Sequence, residues 1–282
     1  MSENDAILRA QQSAKRRANF AVIVVAFLVV LITFLFWYQT WFGRRLSPSE
    51  MGQYLSDTSV PHKTQHALSQ LADEIAHGDQ DAKRWYPQII ALASNKEPEF
   101  RLMSAWVMGQ DNQSNDFHTA LLKLLADSDP MVRRNAALSL VRFGDSSGRE
   151  ELRKMLEPYT LASPAAGRIE FRIKESEEVP RAAVVARIET GDEKPLDVHS
   201  PVEGILEHRA VTDAAHVKDG ETIAILAPDE AQAWESLRAL YLVGEKDSLP
   251  DVDRFASGVA GMPERVRQQA QLTAQAIRKR NP

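Results

Sequence analysis

The stretch Ser163-Pro164-Ala165-Ala166-Gly167-Arg168-Ile169-Glu170-Phe171-Arg172 returns as Ser200-Pro201-Val202-Glu203-Gly204-Ile205-Leu206-Glu207-His208-Arg209, 37 residues later. The shared pattern is S-P-x-x-G-x-[IL]-E-x-R. With one residue inserted, Val184, Val185 and Ile188 then fall on Thr222, Ile223 and Leu226. An internal repeat constrains architecture before any other feature does. Each copy reads as strands. Ile169, Phe171 and Ile173 alternate onto one face, and Ala183 to Ile188 is rich in β-branched residues. In the second copy Ile205 and Leu206 follow Gly204, and Val217 to Leu226 is a turn flanked by apolar residues. The Lys218-Asp219-Gly220-Glu221 turn calls for a positive φ, which Gly220 supplies.

On both sides of this repeat the period is helical. Between Ser47 and Tyr159, Ala67, Leu68, Leu71 and Ile75 share a face. Apolar runs recur at Ile89 to Ala93, Leu121 to Leu125 and Ala136 to Val141. Turn signals such as Asn95-Lys96-Glu97-Pro98 and Asp127-Ser128-Asp129-Pro130 separate them. The helical pieces repeat too: Pro98-Glu99-Phe100-Arg101 to Trp106 parallels Pro130-Met131-Val132-Arg133 to Leu138. Near the C-terminus Val266-Arg267-Gln268-Gln269-Ala270 offers the same V-R-x-x-A step, and Ala239 to Val243 echoes Ala137 to Val141.

These segments resemble HEAT-type repeats of the short form, with the signature D-x-x-x-V-R-x-x-A-A-x-x-L. Asp127 to Leu138 is a close match, and Glu150-Glu151-Leu152 with Met155-Leu156 reads as the next helix of that unit. One helical hairpin of this size cannot bury its apolar face alone, so neighbours stack into a solenoid. Pro98 and Pro130 suit helix starts, where the missing N–H is of no consequence. Arg101 and Arg133 recur at one repeat position. They read either as packing residues that bond carbonyls or carboxylates between repeats, or as a basic interaction ridge.

The repeated strands, over Ser163 to Pro228, resemble the biotinyl/lipoyl barrel-sandwich domain. The second copy carries the resemblance best, through S-P-V-E-G-I-L at Ser200 to Leu206 and V-K-D-G-E-T-I-A-I-L at Val217 to Leu226. The resemblance implies one of two uses: a carrier whose hairpin lysine is lipoylated or biotinylated, or an unmodified assembly module as in membrane-fusion and periplasmic adaptor proteins. Lys194 is the residue the carrier use would require. It lies in Glu193-Lys194-Pro195, not D-K-[AS] or M-K-M, and seven residues before Pro201 where those families show eight. In a strand of period two, one residue reverses a side chain's direction. The long coiled-coil hairpin of the adaptors has no counterpart, because the halves are joined by a short turn.

The chain has 282 residues, enough for about two domains on the usual prior. Its net charge of -5 offers no general attraction to nucleic acid. Without cysteine it has no disulfide, thiolate metal site or thiol chemistry. From Ala18 to Gly43 there is no charge, and Phe20 to Phe36 is nearly all apolar. Trp37, Tyr38 and Trp41 follow, then Arg44 and Arg45. This predicts a retained transmembrane helix over residues 19–42, by the rule of about 20 apolar residues per span. Arg9, Lys15, Arg16 and Arg17 on one flank, against Arg44, Arg45 and the distant Lys63, place the N-terminus in the cytoplasm. The body is then expected outside it, on an inner (plasma) membrane.

Chemical motifs are absent. The seven histidines are His62, His66, His77, His118, His199, His208 and His216. Only His62 and His66 have helical spacing, and no H-E-x-x-H occurs. There is no G-x-S-x-G, phosphate loop or dinucleotide fingerprint. The expected class is an α+β multidomain protein: residues 1–18 a cytoplasmic tail, 19–42 a transmembrane helix, and 47–159 HEAT-like repeats. Residues 160–228 form a small all-β barrel-sandwich domain and 229–282 further HEAT-like helices. The expected function is a membrane-anchored, non-enzymatic scaffold or adaptor whose partners are membrane or envelope proteins. No cofactor, metal, nucleic acid or small-molecule ligand is expected. The alternatives are a carrier modified on Lys194 and an enzyme resembling the HEAT-like bilin lyases.

Overall fold

A computed structural model describes residues 22–35, 44–191 and 194–280. The chain divides into two units, residues 1–51 and 52–282.

In the first unit, residues 22–35 form helix α1, built from Val, Ile, Ala, Phe, Leu and Thr. Among the described residues no helix is long and apolar enough to cross a membrane. The transmembrane helix expected over 19–42, the single-pass inner-membrane placement and the topology drawn from it are corrected by this finding. Residues 19–21 and 36–42 of that expectation lie outside the described residues. Helix α2 (Pro48–Ser56) opens on a capping box. The Ser47 N–H and hydroxyl both donate to the Glu50 carboxylate, at 2.9 and 2.6 Å, and the Glu50 N–H donates back. With the Arg44 guanidinium adding to the Ser47 bonds, the Glu50 carboxyl is lowered to about 2.

The second unit is a helical array interrupted once by strands. Before the strands come α3 (Pro61–Ala76), a 3-10 turn leading into α4 (Tyr86–Leu92), α5 (Pro98–Met108), α6 (Asn115–Leu124), α7 (Pro130–Arg142) and α8 (Arg149–Lys154). After them come α9 (Glu230–Val243), α10 (Leu249–Ser257) and α11 (Glu264–Arg280). Helices α3, α5, α7, α9 and α11 lie side by side in that order, and α4, α6, α8 and α10 back onto them. Local chemistry sets the starts. Pro61, Pro98 and Pro130 occupy first helical positions. Ser114, Asp129 and Asp229 accept bonds from the first-turn N–H groups of α6, α7 and α9.

The array is continuous across the interruption. Ala137 and Val141 of α7, Leu152 of α8, Leu237 and Leu240 of α9, Phe255 of α10 and Ile277 of α11 share one core. Polar bonds seal the same seam. Arg134 donates to Gln232 Oε1 (2.9 Å), Gln232 Nε2 donates to the Met155 carbonyl (2.6 Å), and Ser236 donates to the Leu152 carbonyl (2.5 Å).

The inserted module has eight strands: β1 (Tyr159–Ala162), β2 (Gly167–Phe171), β3 (Glu178–Val179), β4 (Val184–Glu189), β5 (Leu196–His199), β6 (Gly204–Arg209), β7 (His216–Val217) and β8 (Thr222–Ala227). They form two antiparallel sheets, ordered β1-β8-β6-β3 and β5-β4-β2-β7. Exchanging β1–β4 for β5–β8 turns one order into the other. The halves are therefore interlocked, each lending strands to both sheets around a shared core of Ile169, Val185, Ile188, Leu206, Ile223 and Leu226. The sheets stay open. The edge strands β3 and β7 have two residues each and do not continue into the facing sheet, so the closed barrel-sandwich expected from sequence is corrected to two open sheets.

The repeated sentence has a physical meaning here. Ser163 donates to the Ala165 carbonyl (2.7 Å), as Ser200 does to that of Val202 (2.5 Å). A Cβ on Gly167 would come within 3.0 Å of the Glu189 carbonyl, and one on Gly204 equally close to that of Ala227. Both positions require glycine because a neighbouring strand's backbone passes over them. The longer contacts obey the same symmetry. The Ser176 N–H donates to the Leu206 carbonyl and the Ala214 N–H to that of Ile169. Ser176 and Ala214 both have positive φ, 68° and 65°.

Candidate protein-binding surface

The repeat arginines are engaged inside the array. Arg101 makes a two-pronged bond to Asp127, 2.7 Å on each side, and donates to the carbonyls of Asn95 and Lys96. One repeat later Arg133 donates to the carbonyls of Asp127 and Ser128 and pairs with Glu151 at 3.2 Å. Planar guanidinium groups suit this fork geometry. Burial alone would raise the Asp127 carboxyl. The Arg101 bonds, the Asp129 N–H and the Arg133 charge outweigh it and hold the group below the usual carboxylate range. The third V-R-x-x-A step differs, since Arg267 only reaches back to Glu264 in its own helix.

An open apolar surface lies on the row α5–α7–α9. Trp106 of α5 and Leu242 of α9 are 42% and 60% exposed, and with Leu138 of α7 they line a groove of about 330 Å³. Arg142, Arg238 and Glu235 also line the groove. Arg142 is steadied by the Gln110 side chain at 3.0 Å. Glu235 reaches the surface, yet desolvation, then the charges of Glu203 and Asp229, push its carboxyl above the usual range, with Arg238 opposing. A large aromatic side chain among apolar neighbours and arginines has the composition of protein interfaces. Periodicity did not single this groove out, because Trp106 and Leu242 lie in runs that read as core.

Other polar pairs join neighbouring repeats. His118 Nε2 lies 2.6 Å from Asp145, and Tyr86 donates to Asp111 at 2.8 Å. Burial would raise Asp145, but bonds from Ser147 and His118 hold it low. Burial, then the Asp111 bond, pushes the Tyr86 hydroxyl up, so it is a hydrogen-bond donor and not a base. His62 and His66 both lie on α3. Among the described residues no group of three or more His, Asp or Glu is placed to hold a metal ion. Lys194 is exposed between β4 and β5, and its neighbour Glu193 lies outside the described residues.

The β-module meets the helices through one position of each half. Arg181, in the β3–β4 turn, pairs with Glu99 of α5 (2.8 Å) and with Asp129 at the start of α7 (3.2 Å). Glu203, in the second S-P-x-x-G, contributes its charge to both Arg134 and Glu235. Arg134 itself is buried, and desolvation pushes its guanidinium below its usual value. The symmetry-related positions are Asp219 and Ala166, which cannot make these contacts.

Residues 86–162 match the family of HEAT repeats, from the start of α4 to the end of β1. The helical region is HEAT-like. No curated protein matches the chain. Among solved structures, an aspartoacylase family protein from Mesorhizobium loti shares 19% identity at a TM-score of 0.23, over 35% of this chain and 32% of that one. The chain thus spans about a third of that protein's length, and a likeness of this size carries no argument about fold or activity. None of these matches supports the biotinyl/lipoyl resemblance of residues 163–228, which is withdrawn with the closed barrel.

Proposed function

We propose that the protein is a non-enzymatic scaffold for protein–protein assembly, and that a partner binds the groove on α5, α7 and α9. One observation carries this reading: Trp106, Leu138 and Leu242 form an open apolar surface beside Arg142 and Arg238, on adjacent helices of which α7 and α9 share a core. HEAT-like arrays present extended surfaces of this kind. The polar pairs at His118 and Tyr86 favour the same reading, since each joins one repeat to the next.

Quantitative cross-linking of the tagged full chain in its native cells, compared with Trp106→Glu and Leu242→Glu, tests it. The expected result is a defined set of cross-linked proteins that is lost in both variants while thermal unfolding is unchanged. Identical sets for wild type and variants would overturn the groove as the binding surface. The same reading expects Lys194 to be unmodified. Intact mass spectrometry of the native protein checks this, and a lipoyl or biotinyl adduct would favour the carrier instead.

A further inference from the structure

A large hollow lies where the β-module faces the C-terminal helices, away from the α5–α7–α9 groove. It holds about 780 Å³, within the size range of ligand sites. One wall is the outer face of the first sheet, where Glu178 of β3 pairs in register with Ile205 of β6, and Glu207, at an irregularity in β6, also lines it. The other wall is the loop from α10 to α11, with Val259, Met262 and Pro263. A smaller hollow of about 360 Å³ shares Glu178, Asp229 and Glu230 with it and adds Glu203 and Arg265.

The charges here are unevenly used. The arginines are engaged: Arg254 donates to the Leu156 carbonyl and lies over the Phe255 ring, while Arg265 pairs with Glu230 and lies over Trp234. Among the described residues no ion pair reaches Glu178, Glu203 or Glu207. The cleft therefore offers an apolar floor rimmed by carboxylates that lack a salt-bridge partner. It also offers backbone. β3 ends its sheet and pairs only with β6, so its outer N–H and C=O groups face no strand.

We infer that this cleft binds an extended polypeptide segment of a partner protein in which Lys or Arg alternates with apolar residues. The basic side chains face Glu178 and Glu207 on the sheet wall, the alternate apolar ones face Val259 and Met262 on the loop wall, and the segment runs beside β3. Apolar burial and main-chain bonding give such modes their affinity, and charge gives them selectivity.

The probe is a fluorescein-labelled peptide, Lys-Val-Lys-Leu-Lys-Val-Lys, with its glutamate counterpart, added to the full chain and followed by anisotropy. The lysine peptide is expected to bind and the glutamate peptide not to. The double variant Glu178→Gln/Glu207→Gln is expected to weaken binding roughly tenfold. Glu170→Gln/Glu189→Gln, which removes the same charge from the other sheet, leaves it unchanged. Hydrogen exchange is expected to slow at residues 176–179 and 259–263 in the complex. Equal weakening by both double variants would show diffuse attraction to an acidic protein and overturn the inference, as would absence of binding. Self-association abolished by Glu178→Gln/Glu207→Gln would overturn it too, because the occupant would then be a second copy. None of these readouts depends on Trp106 or Leu242, so failure here leaves the groove reading untouched.

Discussion

Ala182 has φ 62° at the turn position that Gly220 holds, with φ 76°, in the other half of the β-module. The two N–H groups make equivalent bonds, Ala182 to the Ser200 carbonyl and Gly220 to that of Ser163, each 2.8 Å. The left-handed region costs an L-residue about 1–2 kcal/mol, while glycine loses about 0.5–1 kcal/mol more entropy on folding. Ala182→Gly is therefore expected to raise stability by about 0.5 kcal/mol and Gly220→Ala to lower it by about 1 kcal/mol. Urea midpoints of the full chain measure both, and opposite signs at symmetric positions are the expected signature. Nothing lies within 4 Å of a Cβ on Gly220, so that effect is purely conformational. The turn is kept in its strained form where it presents Arg181 to Glu99 and Asp129.

At the scale of elements, the clamp between α5 and the α6–α7 turn should dominate repeat packing. Arg101 and Asp127 are only 13% and 8% exposed. Asp127→Asn leaves a nearly buried guanidinium without its counter-charge, which typically costs about 3 kcal/mol. Because the folded Asp127 carboxyl is depressed, its contribution is fully present above the unfolded pKa of about 3.9 and fades as pH falls below it. The gap between wild type and Asp127→Asn in thermal melts should narrow accordingly below about pH 4. Glu235 on α9 has the opposite sign. Its folded carboxyl is raised, so its ionisation opposes folding once pH exceeds the unfolded value of about 4.3. Glu235→Gln should melt higher than wild type at pH 7 and alike at pH 4. Much of this was legible beforehand. Pro98, Pro130, Arg101 and Arg133 marked the period, and S-P-x-x-G marked the two halves. The partners were not, because Asp127 and Glu151 look like ordinary turn and surface acids until the helices are stacked. The apolar run at 20–36 pointed to a membrane span, yet among the described residues no helix is long and apolar enough to cross one.

On the scale of the whole second unit, the positions where the two copies differ explain how a symmetric module joins an asymmetric array. Arg181 and Glu203 face the helices, and their counterparts Asp219 and Ala166 do not. No periodicity in one chain reveals which positions of each copy dock, since that depends on which side of the module α5 and α7 occupy. The two apolar cores nevertheless remain separate: the core that joins α7 and α8 to α9, α10 and α11 contains no residue of the β-module. Tyr159 and Leu226 are paired across β1 and β8, so their Cα atoms lie about 5 Å apart, and a few residues can bridge them. Replacing residues 160–226 by a short Gly/Ser linker is therefore expected to leave an array that unfolds cooperatively by far-UV circular dichroism. Its midpoint should be lower, because Arg134 loses the Glu203 charge and Glu99 loses Arg181. Loss of the cooperative transition would show instead that the strands hold α9 against α7. The helices would then be two short arrays fastened by the module, and Ser236, Gln232 and Thr273, whose bonds run from helix to helix, would contribute little on their own.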